Sequence, residues 1–341
     1  MNTQGLESTA KAIVAPGKGI LAMDESTPTC LKRFETLGIE STEENRRTYR
    51  ELLITTEGLS QFISGAILFD ETIRQKISNG TLFPDYMAKV EIIPGIKVDT
   101  GAKDLAGFPG EKVAEGLDRL RERLAEYAGL GARFTKWRAV ITIGDGIPSQ
   151  GCIDANAHGL ARYAALAQEA GMVPIVEPEV LIDGSHTVAE CYDATHSTLR
   201  AVFRELAGQR VHLPGMVLKA SMVISGLKCP NRAGVSEVAE HTVRCLLDTV
   251  PADVQGVAFL SGGQSNEEAT AHLNAMHNLG KDLPWPLTFS YARALQQRPM
   301  EIWRGDAANT AAAQAALYHR AKLNGAASLG NYDEGMETEA A

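Results

Sequence analysis

The chain has 341 residues, of which 44% are hydrophobic and 22% are charged, and its formal net charge is −9 at pH 7. Nucleic-acid-binding proteins normally carry a strong basic bias, so this charge argues against that class, although a local cluster of cations can still attract an anionic substrate. The five cysteines include no CxxC pair, no stretch approaches about 18 consecutive apolar residues, and no signal-peptide pattern opens the sequence, so we expect a reduced, cytoplasmic protein.

Eight short apolar runs, several of them rich in β-branched residues, predict eight β-strands. In chain order they are Gly19–Asp24, Ile63–Asp70, Glu91–Val98, Phe134–Ile143, Met172–Val180, Met216–Ile224, Gly256–Gly262 and Leu283–Arg293. The runs are apolar on both faces, which is typical of parallel strands that are buried on both sides.

Amphipathic segments separate these runs and predict helices. They are Thr42–Phe62, Glu111–Leu130, Asp154–Ala170, Thr187–Ala207, Ser236–Val250, Asn266–Leu279 and, after the last strand, Asp306–Gly325. Ser41 and Glu44 have the spacing of a capping box at the start of the first of them. Strands that alternate with helices form right-handed βαβ units, so we predict an α/β protein whose eight units close into a (β/α)8 TIM barrel; a doubly wound open sheet is the alternative.

The chain is predicted to form one domain. No internal repeat, linker or low-complexity block divides it, and α/β barrels commonly exceed about 250 residues as a single domain. We therefore expect a barrel domain over residues 1–330. Residues 331–341 are acidic and have few apolar side chains, so we expect a flexible tail there.

Residues suited to chemistry or anion binding occupy the C-terminal part of seven of the eight predicted strands. They are Asp24, Lys97, Lys136, Arg138, Glu177, Glu179, Lys219, Ser261, Gly262 and Arg293. A charge inside a barrel strand is unfavourable unless it is paired or used, and the C-terminal strand ends of a barrel converge on the face where active sites lie. Each residue alone could be a structural ion pair or could face solvent, but their segregation to matching strand ends predicts a common site.

The spacing of two pairs of these residues adds detail. The pairs are Lys136 with Arg138 and Glu177 with Glu179, each two residues apart, so both members of a pair point to the same side of their strand. Pro178 stands inside the predicted strand between the two glutamates. Proline cannot donate a ladder hydrogen bond, so we expect a local irregularity beside these carboxylates.

The segment Ser261–Gly263 suits a phosphate group. Glycines let the backbone approach an anion closely, and the segment leads into the helix predicted from Asn266, whose N–H groups would face the ligand. Barrels often bind phosphate at the loops that follow the seventh and eighth strands, and Arg293 would add a bidentate contact there. The same glycines could instead form a simple turn.

Six motifs, in order from Gly17 to Gln296, resemble those of class I fructose-1,6-bisphosphate aldolases, the Schiff-base aldolases of glycolysis. They are GKGILAMDES, GIKVD, FTKWR, VPIVEPE, LSGGQS and FSYARALQ. The resemblance implies a (β/α)8 barrel and the reversible cleavage of fructose 1,6-bisphosphate to dihydroxyacetone phosphate and glyceraldehyde 3-phosphate. It also implies that the chain needs no metal or other cofactor and forms a homotetramer. The acidic net charge and the lack of a long apolar stretch predict that the chain binds neither nucleic acid nor membrane.

The resemblance also implies residue roles. The reaction centre would contain Lys219 as the Schiff-base lysine, Glu177 as the principal acid/base and Glu179 as a second carboxylate. It would also contain three further charged residues: Asp24, Lys136 and Arg138. The phosphate distal to the ketone would bind at Lys97 and Arg33, and the phosphate nearest the ketone at Ser261, Gly262 and Arg293.

Three features depart from the family pattern. After the Schiff-base lysine, Ala220 and Ser221 stand where members more often have proline and asparagine, and Ala292 stands where many have glycine. The better-known members end in a tyrosine that folds over the site, whereas this sequence ends in Ala341. We do not assign that role to Tyr332, the only tyrosine of the tail, so other groups or water are expected to protonate the enamine.

Three alternatives were weighed against this function. Metal-dependent aldolases need several histidines, but we expect each histidine here to be a surface residue outside any HxxEH-type cluster: His158, His186, His196, His212, His241, His272, His277 and His319. Another lysine-imine enzyme, such as a transaldolase-like transferase or a deoxyribose-phosphate-type aldolase, is a second alternative, although two basic ends favour a substrate with two phosphates. A non-catalytic phosphosugar-binding scaffold is the third, and it does not require the set Lys219, Glu177 and Lys136.

Overall fold

The structure, a computed structural model, describes residues 2–338 and contains a closed parallel barrel. The strands are β1 (Gly19–Ala22), β2 (Ile63–Leu68), β3 (Ile93–Lys97), β4 (Gly101–Asp104), β5 (Lys112–Glu115), β6 (Phe134–Ile141), β7 (Val173–Val180), β8 (Val217–Ala220), β9 (Val257–Phe259) and β10 (Leu287–Tyr291). β4 and β5 form a separate antiparallel hairpin, and the other eight close in the order β1-β2-β3-β6-β7-β8-β9-β10. All eight predicted strands and the (β/α)8 barrel are confirmed, and the open sheet is excluded.

Helices surround the barrel. They are α1 (Thr3–Ile13), α2 (Thr27–Glu35), α3 (Glu43–Ile54), α4 (Asp70–Ile73), α5 (Phe83–Lys89), α6 (Leu120–Gly129), α7 (Gln150–Glu169), α8 (Val188–Gly208), α9 (Val235–Thr249), α10 (Asn266–His277), α11 (Arg293–Trp303) and α12 (Thr310–Ala327). Every predicted helical segment overlaps one of them. None of the helices between residues 2 and 338 is long and apolar enough to cross a membrane.

The barrel interior is a small apolar core that α1 closes at the amino ends of the strands. Leu6, Ala10 and Ile13 of α1 pack in one buried cluster with inward-facing strand residues such as Ile175 and Phe134. The ring of Phe134 fills the space beside β3 so fully that a Cβ on Gly95 would lie 2.2 Å from it. The opposite end, where the strands finish, is therefore left as the open mouth of the barrel.

The segment 111–130 is not helical throughout, so that part of the prediction is wrong. Its first residues form β5, which pairs with β4, and α6 begins only at Leu120. Gly116 has φ +125° and Arg119 has φ +55°, and these left-handed conformations separate strand from helix. Charged residues that alternate with apolar ones suit an exposed hairpin as well as a helix, so the pattern predicted a helix where the chain forms a strand.

The expected capping box at Ser41 is also wrong. Thr42, one residue later, is the N-cap of α3, and its hydroxyl accepts a hydrogen bond of 3.0 Å from the backbone N–H of Asn45. Both residues carry a hydroxyl suited to a cap, and the backbone enters the helix at the second of them.

The irregularity expected at Pro178 occurs on one side of β7 only. The register between β6 and β7 runs without a shift from Phe134–Val173 to Ile141–Val180. On the other side, pairing of β7 with β8 ends at Val176, before the proline. Beyond that point the Ser221 hydroxyl accepts a hydrogen bond from the N–H of Val180 at 2.9 Å and donates one to its carbonyl at 3.0 Å. A side chain thus replaces the ladder on the side where the strand carries a proline.

The described part of the tail contacts the barrel domain. Tyr332 is buried, and its backbone N–H and carbonyl both bond to the side chain of Asn274 on α10. Glu337 accepts hydrogen bonds from Arg320 at 2.5 and 2.7 Å and from the Tyr332 hydroxyl at 2.9 Å. Residues 339–341 lie outside the described residues, and the flexibility of the tail and the boundary at residue 330 stay predictions.

Candidate active site

All eleven residues that the sequence predicts for the site line one cleft of about 670 Å³ at the mouth of the barrel. They are Asp24, Arg33, Lys97, Lys136, Arg138, Glu177, Glu179, Lys219, Ser261, Gly262 and Arg293. Six lining side chains are basic and five are acidic, so the cleft has a formal excess of one positive charge while the whole chain carries −9. An anionic ligand is therefore attracted to the cleft more than to the rest of the surface.

A row of three buried charges occupies the centre of the cleft. Glu177 of β7 lies between two lysines: its Oε2 is 2.9 Å from the Nζ of Lys136 on β6, and its Oε1 is 3.0 Å from the Nζ of Lys219 on β8. None of the three residues is more than 4% exposed. Adjacent parallel strands in this register bring the three side chains together, and mutual pairing makes their burial tolerable.

Asp24, directly after β1, completes this row from the far side of the barrel. Its Oδ2 accepts a hydrogen bond of 2.8 Å from Lys136. Burial opposes ionisation of Asp24, but Lys136 and Lys219 outweigh it and lower the pKa of Asp24 to about 2. Burial alone would also depress the pKa of Lys136, but Asp24 and Glu177 raise it well above its ordinary value.

The Glu177 carboxyl is ionised in this arrangement. Burial opposes its ionisation, but Lys136 and Lys219 hold the pKa of Glu177 below its ordinary value. A carboxylate that contacts two cations can accept a proton from one of them while the other still compensates its charge. The centre of the cleft can therefore move a proton over about 3 Å without moving a side chain.

A second group of charges lies on β3 and β6. The Nζ of Lys97 is 2.8 Å from Oδ1 of Asp99, whose Oδ2 accepts a hydrogen bond of 3.1 Å from the backbone N–H of Arg138. The Arg138 guanidinium in turn pairs with Glu179. Burial opposes the charge of Arg138, but Glu179 raises the pKa of this guanidinium above its ordinary value. Lys97 and Arg138 are thus held as cations at one end of the cleft.

The opposite end is built from backbone on β9 and β10. Ser261 and Gly262 follow β9, and Gly262 has φ +54°, a left-handed conformation that favours glycine. Arg293 starts α11 directly after β10, and its guanidinium donates a hydrogen bond to the Gly262 carbonyl. Burial, and then the nearby charge of Arg33, lower the pKa of Arg293, so an anion between them would relieve the repulsion.

Arg33 lies beside Arg293 rather than beside Lys97. It reaches the cleft from α2, which follows β1, and β1 is the neighbour of β10 in the barrel. Its Nη1 is 2.5 Å from Oε1 of Glu25, and that oxygen also accepts a hydrogen bond of 3.1 Å from Gln296. The predicted contact of Arg33 with the distal phosphate stays a prediction.

Sequence reasoning missed three cleft residues that the structure brings to the same place. Glu25 and Asp99 hold Arg33 and Lys97 by the contacts given above, and each stands within two residues of a predicted site residue in the motifs MDES and GIKVD. Ser290 lies on the cleft floor, and its buried hydroxyl finds no hydrogen-bond partner within residues 2–338. Its signal is the alternation of the motif FSYAR, in which Ser290 and Ala292, two residues apart, both line the cleft.

The residues that depart from the family pattern lie at the ends of two strands: Ala220 and Ser221 at the end of β8, and Ala292 between β10 and α11. Ala220 ends β8, and Ser221 makes the two hydrogen bonds to Val180 described above. Ala292 lines the cleft as the N-cap of α11, with φ −101° and ψ −81°, and offers no side-chain hydrogen bond to that helix. The loss of a glycine at this position is therefore compatible with the backbone, since φ stays negative.

The expectation that every histidine is a surface residue is wrong for two of them. His186 follows β7 and is 5% exposed, and His272 on α10 is 3% exposed. Helical periodicity places a residue on a face but does not say which loop covers that face. In the part of the chain that the structure describes, no group of three or more histidine, cysteine, aspartate or glutamate residues could hold a metal ion.

Proteins of one family are similar to this chain over nearly its whole length. Residues 5–341 match the family described as fructose-bisphosphate aldolase class-I. A probable fructose-bisphosphate aldolase class 1 from Xanthomonas campestris is 62% identical over 333 residues, which are 97% of this chain and 99% of that protein. The cytosolic fructose-bisphosphate aldolase 4 of Arabidopsis thaliana is 51% identical over 332 residues, which are 97% of this chain and 84% of that protein.

A solved structure has the same fold. It is a fructose-bisphosphate aldolase from Plasmodium falciparum, in complex with TRAP and a small-molecule inhibitor. The TM-score is 0.95 at 47% sequence identity, and the match covers 97% of this chain and 96% of the other. At 47% identity the likeness covers the sequence as well as the fold.

Proposed function

The chain belongs to the class I fructose-bisphosphate aldolase family, and from that premise we propose that its cleft cleaves fructose 1,6-bisphosphate reversibly through a Schiff base at Lys219. The observation that carries the proposal is the buried row Lys136–Glu177–Lys219, in which one carboxylate touches two ammonium groups. Membership of this family argues against a transaldolase-like enzyme, and the presence of the whole row argues against a non-catalytic scaffold.

The first step forms the imine. Glu177 takes a proton from the Lys219 ammonium, 3.0 Å away, and the free amine attacks the ketone carbon of the substrate. One remaining N–H proton passes to the former carbonyl oxygen, which gives a carbinolamine. Glu177, now a carboxylic acid, protonates that hydroxyl, and water leaves as the protonated imine forms. Lys136 stays charged throughout and stabilises Glu177 whenever that residue is a carboxylate.

The second step breaks the carbon–carbon bond. Glu177, again a carboxylate, takes the proton of the C4 hydroxyl, and the C3–C4 electron pair moves to the imine nitrogen. The protonated imine is a better electron sink than the ketone, so no metal is required of the chain. Glyceraldehyde 3-phosphate leaves, and Asp24 keeps Lys136 oriented through the 2.8 Å hydrogen bond.

The last step releases the second product. Protonation of the enamine at C3 regenerates the protonated imine, and water hydrolyses it to dihydroxyacetone phosphate and the Lys219 ammonium. Glu177 loses the proton that it took from the C4 hydroxyl, which balances the one gained at C3 and returns Glu177 to a carboxylate. We assign the proton gained at C3 to water or to another cleft group, not to Tyr332, because that hydroxyl is engaged with Glu337. Glu179 holds Arg138 beside the reaction centre and has a supporting role.

The substrate is proposed to carry two phosphates, one for each basic end of the cleft. Lys97 and Arg138 form one end, and Ser261, Gly262 and Arg293 form the other, on the opposite side of the barrel order. Backbone N–H groups and an arginine suit the phosphate nearest the ketone, which must be fixed for the carbonyl to meet Lys219. A substrate with one phosphate would leave one end without a ligand.

The location, the oligomeric state and the ligands of the enzyme are proposed as well. We propose a cytoplasmic homotetramer that binds neither nucleic acid nor membrane and needs no cofactor. The cytosolic relative from Arabidopsis thaliana supports the location, the acidic net charge argues against nucleic acid as a ligand, and the family resemblance supports the tetramer.

Borohydride trapping tests the proposal directly. The protein is incubated with dihydroxyacetone phosphate, reduced with borohydride, and analysed by intact mass and peptide mapping. We expect one adduct, on the peptide that carries Lys219, and none in the variant Lys219→Ala, which should also lose activity. Lys228, nine residues further along and outside the cleft, provides the control Lys228→Ala, in which trapping should persist. An adduct on another lysine, or activity lost to EDTA without any adduct, would overturn the mechanism.

A further inference from the structure

The loop that links β9 to α10 is fixed at both ends. Ser261 leaves β9 as a buried residue, and Ser265 caps α10. The Ser265 hydroxyl accepts a hydrogen bond of 3.0 Å from the Glu268 N–H, and the Glu268 carboxylate accepts one of 3.0 Å from the Ser265 N–H. Between these ends, Gly262 and Gly263 have no side chains, so their conformation depends on what holds the backbone on either side.

Gln264 holds the near end of this loop. Its side chain is buried, and both its backbone N–H and its Nε2 donate hydrogen bonds of 3.1 Å to the carbonyl of Ser261. Two donors from one residue therefore fix the peptide that joins Ser261 to Gly262. That peptide also supplies the N–H of Gly262, which faces the proposed phosphate.

His272 fixes Gln264 in turn. Its Nδ1 lies 2.6 Å from the Oε1 of Gln264, and the imidazole is buried in α10. The amide of Gln264 can have only one orientation, because its nitrogen must face the Ser261 carbonyl; the amide oxygen therefore faces His272. That oxygen can only accept, so Nδ1 of His272 carries the hydrogen.

The protonation state agrees with this geometry. Burial lowers the pKa of His272 to about 4, while the nearby Glu268 opposes the shift and Arg232 adds to it. The ring is thus neutral at pH 7, with its proton on the nitrogen that donates to Gln264.

We propose that His272 and Gln264 are positioning residues for the proposed reaction, since the relay His272–Gln264–Ser261 holds the Gly262 peptide in the geometry that receives the ketone-side phosphate. The inference rests on the proposed function, because it assumes that this loop binds phosphate. Neither residue touches the substrate. Their effect is on affinity for the phosphate group, which is bound equally in the ground state and the transition state.

The test compares two ligands that differ only in the phosphate. Borohydride trapping at Lys219 is titrated with dihydroxyacetone phosphate and, separately, with dihydroxyacetone. The variant His272→Leu removes the donor, and His272→Asn keeps one, because the asparagine Nδ2 can take the place of Nδ1. We expect His272→Leu to raise the half-saturating concentration of dihydroxyacetone phosphate about fivefold, the effect of one neutral hydrogen bond, and to leave that of dihydroxyacetone unchanged.

His277→Leu is the matched control. His277 lies on the same helix, and its Nε2 bonds at 3.0 Å to the carbonyl of Leu287, at the start of β10 and away from the loop. This variant should bind both ligands as the unmodified chain does, and His272→Asn should restore most of the affinity for dihydroxyacetone phosphate. Should His272→Leu not fold, Gln264→Met removes both the bond to His272 and the side-chain bond to the Ser261 carbonyl, and is expected to give a selective loss at least as large.

Two results would overturn the inference. If His272→Leu or Gln264→Met weakens both ligands equally, or lowers only the melting temperature, the relay is merely structural. If the unmodified chain shows no trapping at Lys219 at all, the proposed function fails first and the relay has no phosphate to position. The first result leaves the aldolase mechanism intact, so the two failures are distinguishable.

Discussion

The two sides of the cleft hold charge in different ways. On the side of β6, β7 and β8, Lys136, Glu177 and Lys219 are buried charges that neutralise one another over distances of about 3 Å. On the side of β9 and β10, backbone groups and Arg293 form the surface, and the bonds behind the backbone join neutral partners such as Gln264 and His272. Proton transfer requires ionised groups that are held close together where the dielectric is low. A phosphate group is already charged, so it requires hydrogen-bond donors rather than buried ionisable groups.

The largest effect that separates the two sides is expected for Glu177→Gln. An amide cannot accept the proton of Lys219 or of the C4 hydroxyl, so kcat should fall by about 10²- to 10⁴-fold, with KM changed little. Steady-state cleavage of fructose 1,6-bisphosphate measures both. Glu179→Gln is the matched control on the same strand. It removes only the partner of the half-exposed Arg138, and its kcat should fall by about tenfold or less. Equal losses in the two variants would contradict the assignment of Glu177 as principal acid/base.

A change on the phosphate side should act on binding instead. Arg293→Gln removes a cation that contacts the Gly262 carbonyl and faces the proposed phosphate. The KM for fructose 1,6-bisphosphate should rise about 10- to 100-fold, the range for one charge-assisted hydrogen bond, while kcat stays within a few-fold. Arg298→Gln, on an exposed turn of the same helix, should leave both values unchanged. A fall in kcat without a rise in KM would mean that Arg293 belongs to the reacting side.

The two sides should also differ in their response to acid. The pKa of His272 is about 4 in the folded chain against an ordinary 6.5, so only the unfolded chain takes up this proton between those values. Its contribution to stability is complete above pH 6.5 and declines as the pH falls toward 4, by about 2 kcal/mol between pH 7 and pH 5. Asp24, with a pKa of about 2, contributes nothing in that range, because it is ionised in both states.

Urea unfolding of His272→Asn at pH 7 and pH 5 measures this contribution. The variant should lose less stability than the unmodified chain between the two pH values. The variant Asp24→Asn should lose the same as the unmodified chain, since its missing carboxyl titrates at lower pH. If His272→Asn keeps the full pH dependence, another group that is neutral only in the folded chain is responsible.

The smallest effect is expected for Ser221→Ala, at the seam between β7 and β8. This variant removes the two hydrogen bonds to Val180 and should lower the free energy of unfolding by about 1–2 kcal/mol. Because the seam aligns Glu177 with Lys219, kcat should also fall about two- to threefold. Ser328→Ala, which removes one buried bond to Gly325 on α12, should destabilise similarly without changing kcat. Identical kcat values would show that the seam does not affect the reaction.

The sequence predicted the fold well where a local cause was sufficient. A strand buried on both faces must be apolar throughout, so all eight barrel strands were recognisable without their partners. The hairpin of β4 and β5 was not, since it is an exposed excursion whose charged alternation also fits a helix. The N-cap of α3 was displaced by one residue because Ser41 and Thr42 are equally suited to it.

Prediction of the site succeeded best where a charge interrupts an apolar strand. A charge in a barrel strand is unfavourable unless it is paired or takes part in the chemistry, so Lys136, Glu177 and Lys219 were distinct from the apolar residues around them in the sequence. Ser290 and Gln264 carry no charge and gave no comparable signal. His272 was expected on the surface because a helix shows its periodicity in the sequence but not the loop that covers it.

The sequence by itself determined the barrel and ten candidate residues at the ends of its strands, because the burial of strands and the segregation of charges to their ends follow from local composition; Arg33 was added only by the resemblance to the family. Only the tertiary structure decided the pairing: Asp24 with Lys136, which are 112 residues apart, Glu177 between two lysines, and Arg33 beside Arg293. The physical reason is that an ion pair or a buried hydrogen bond depends on distances of about 3 Å between atoms. The order in which the strands close sets those distances, and no spacing along the chain encodes them.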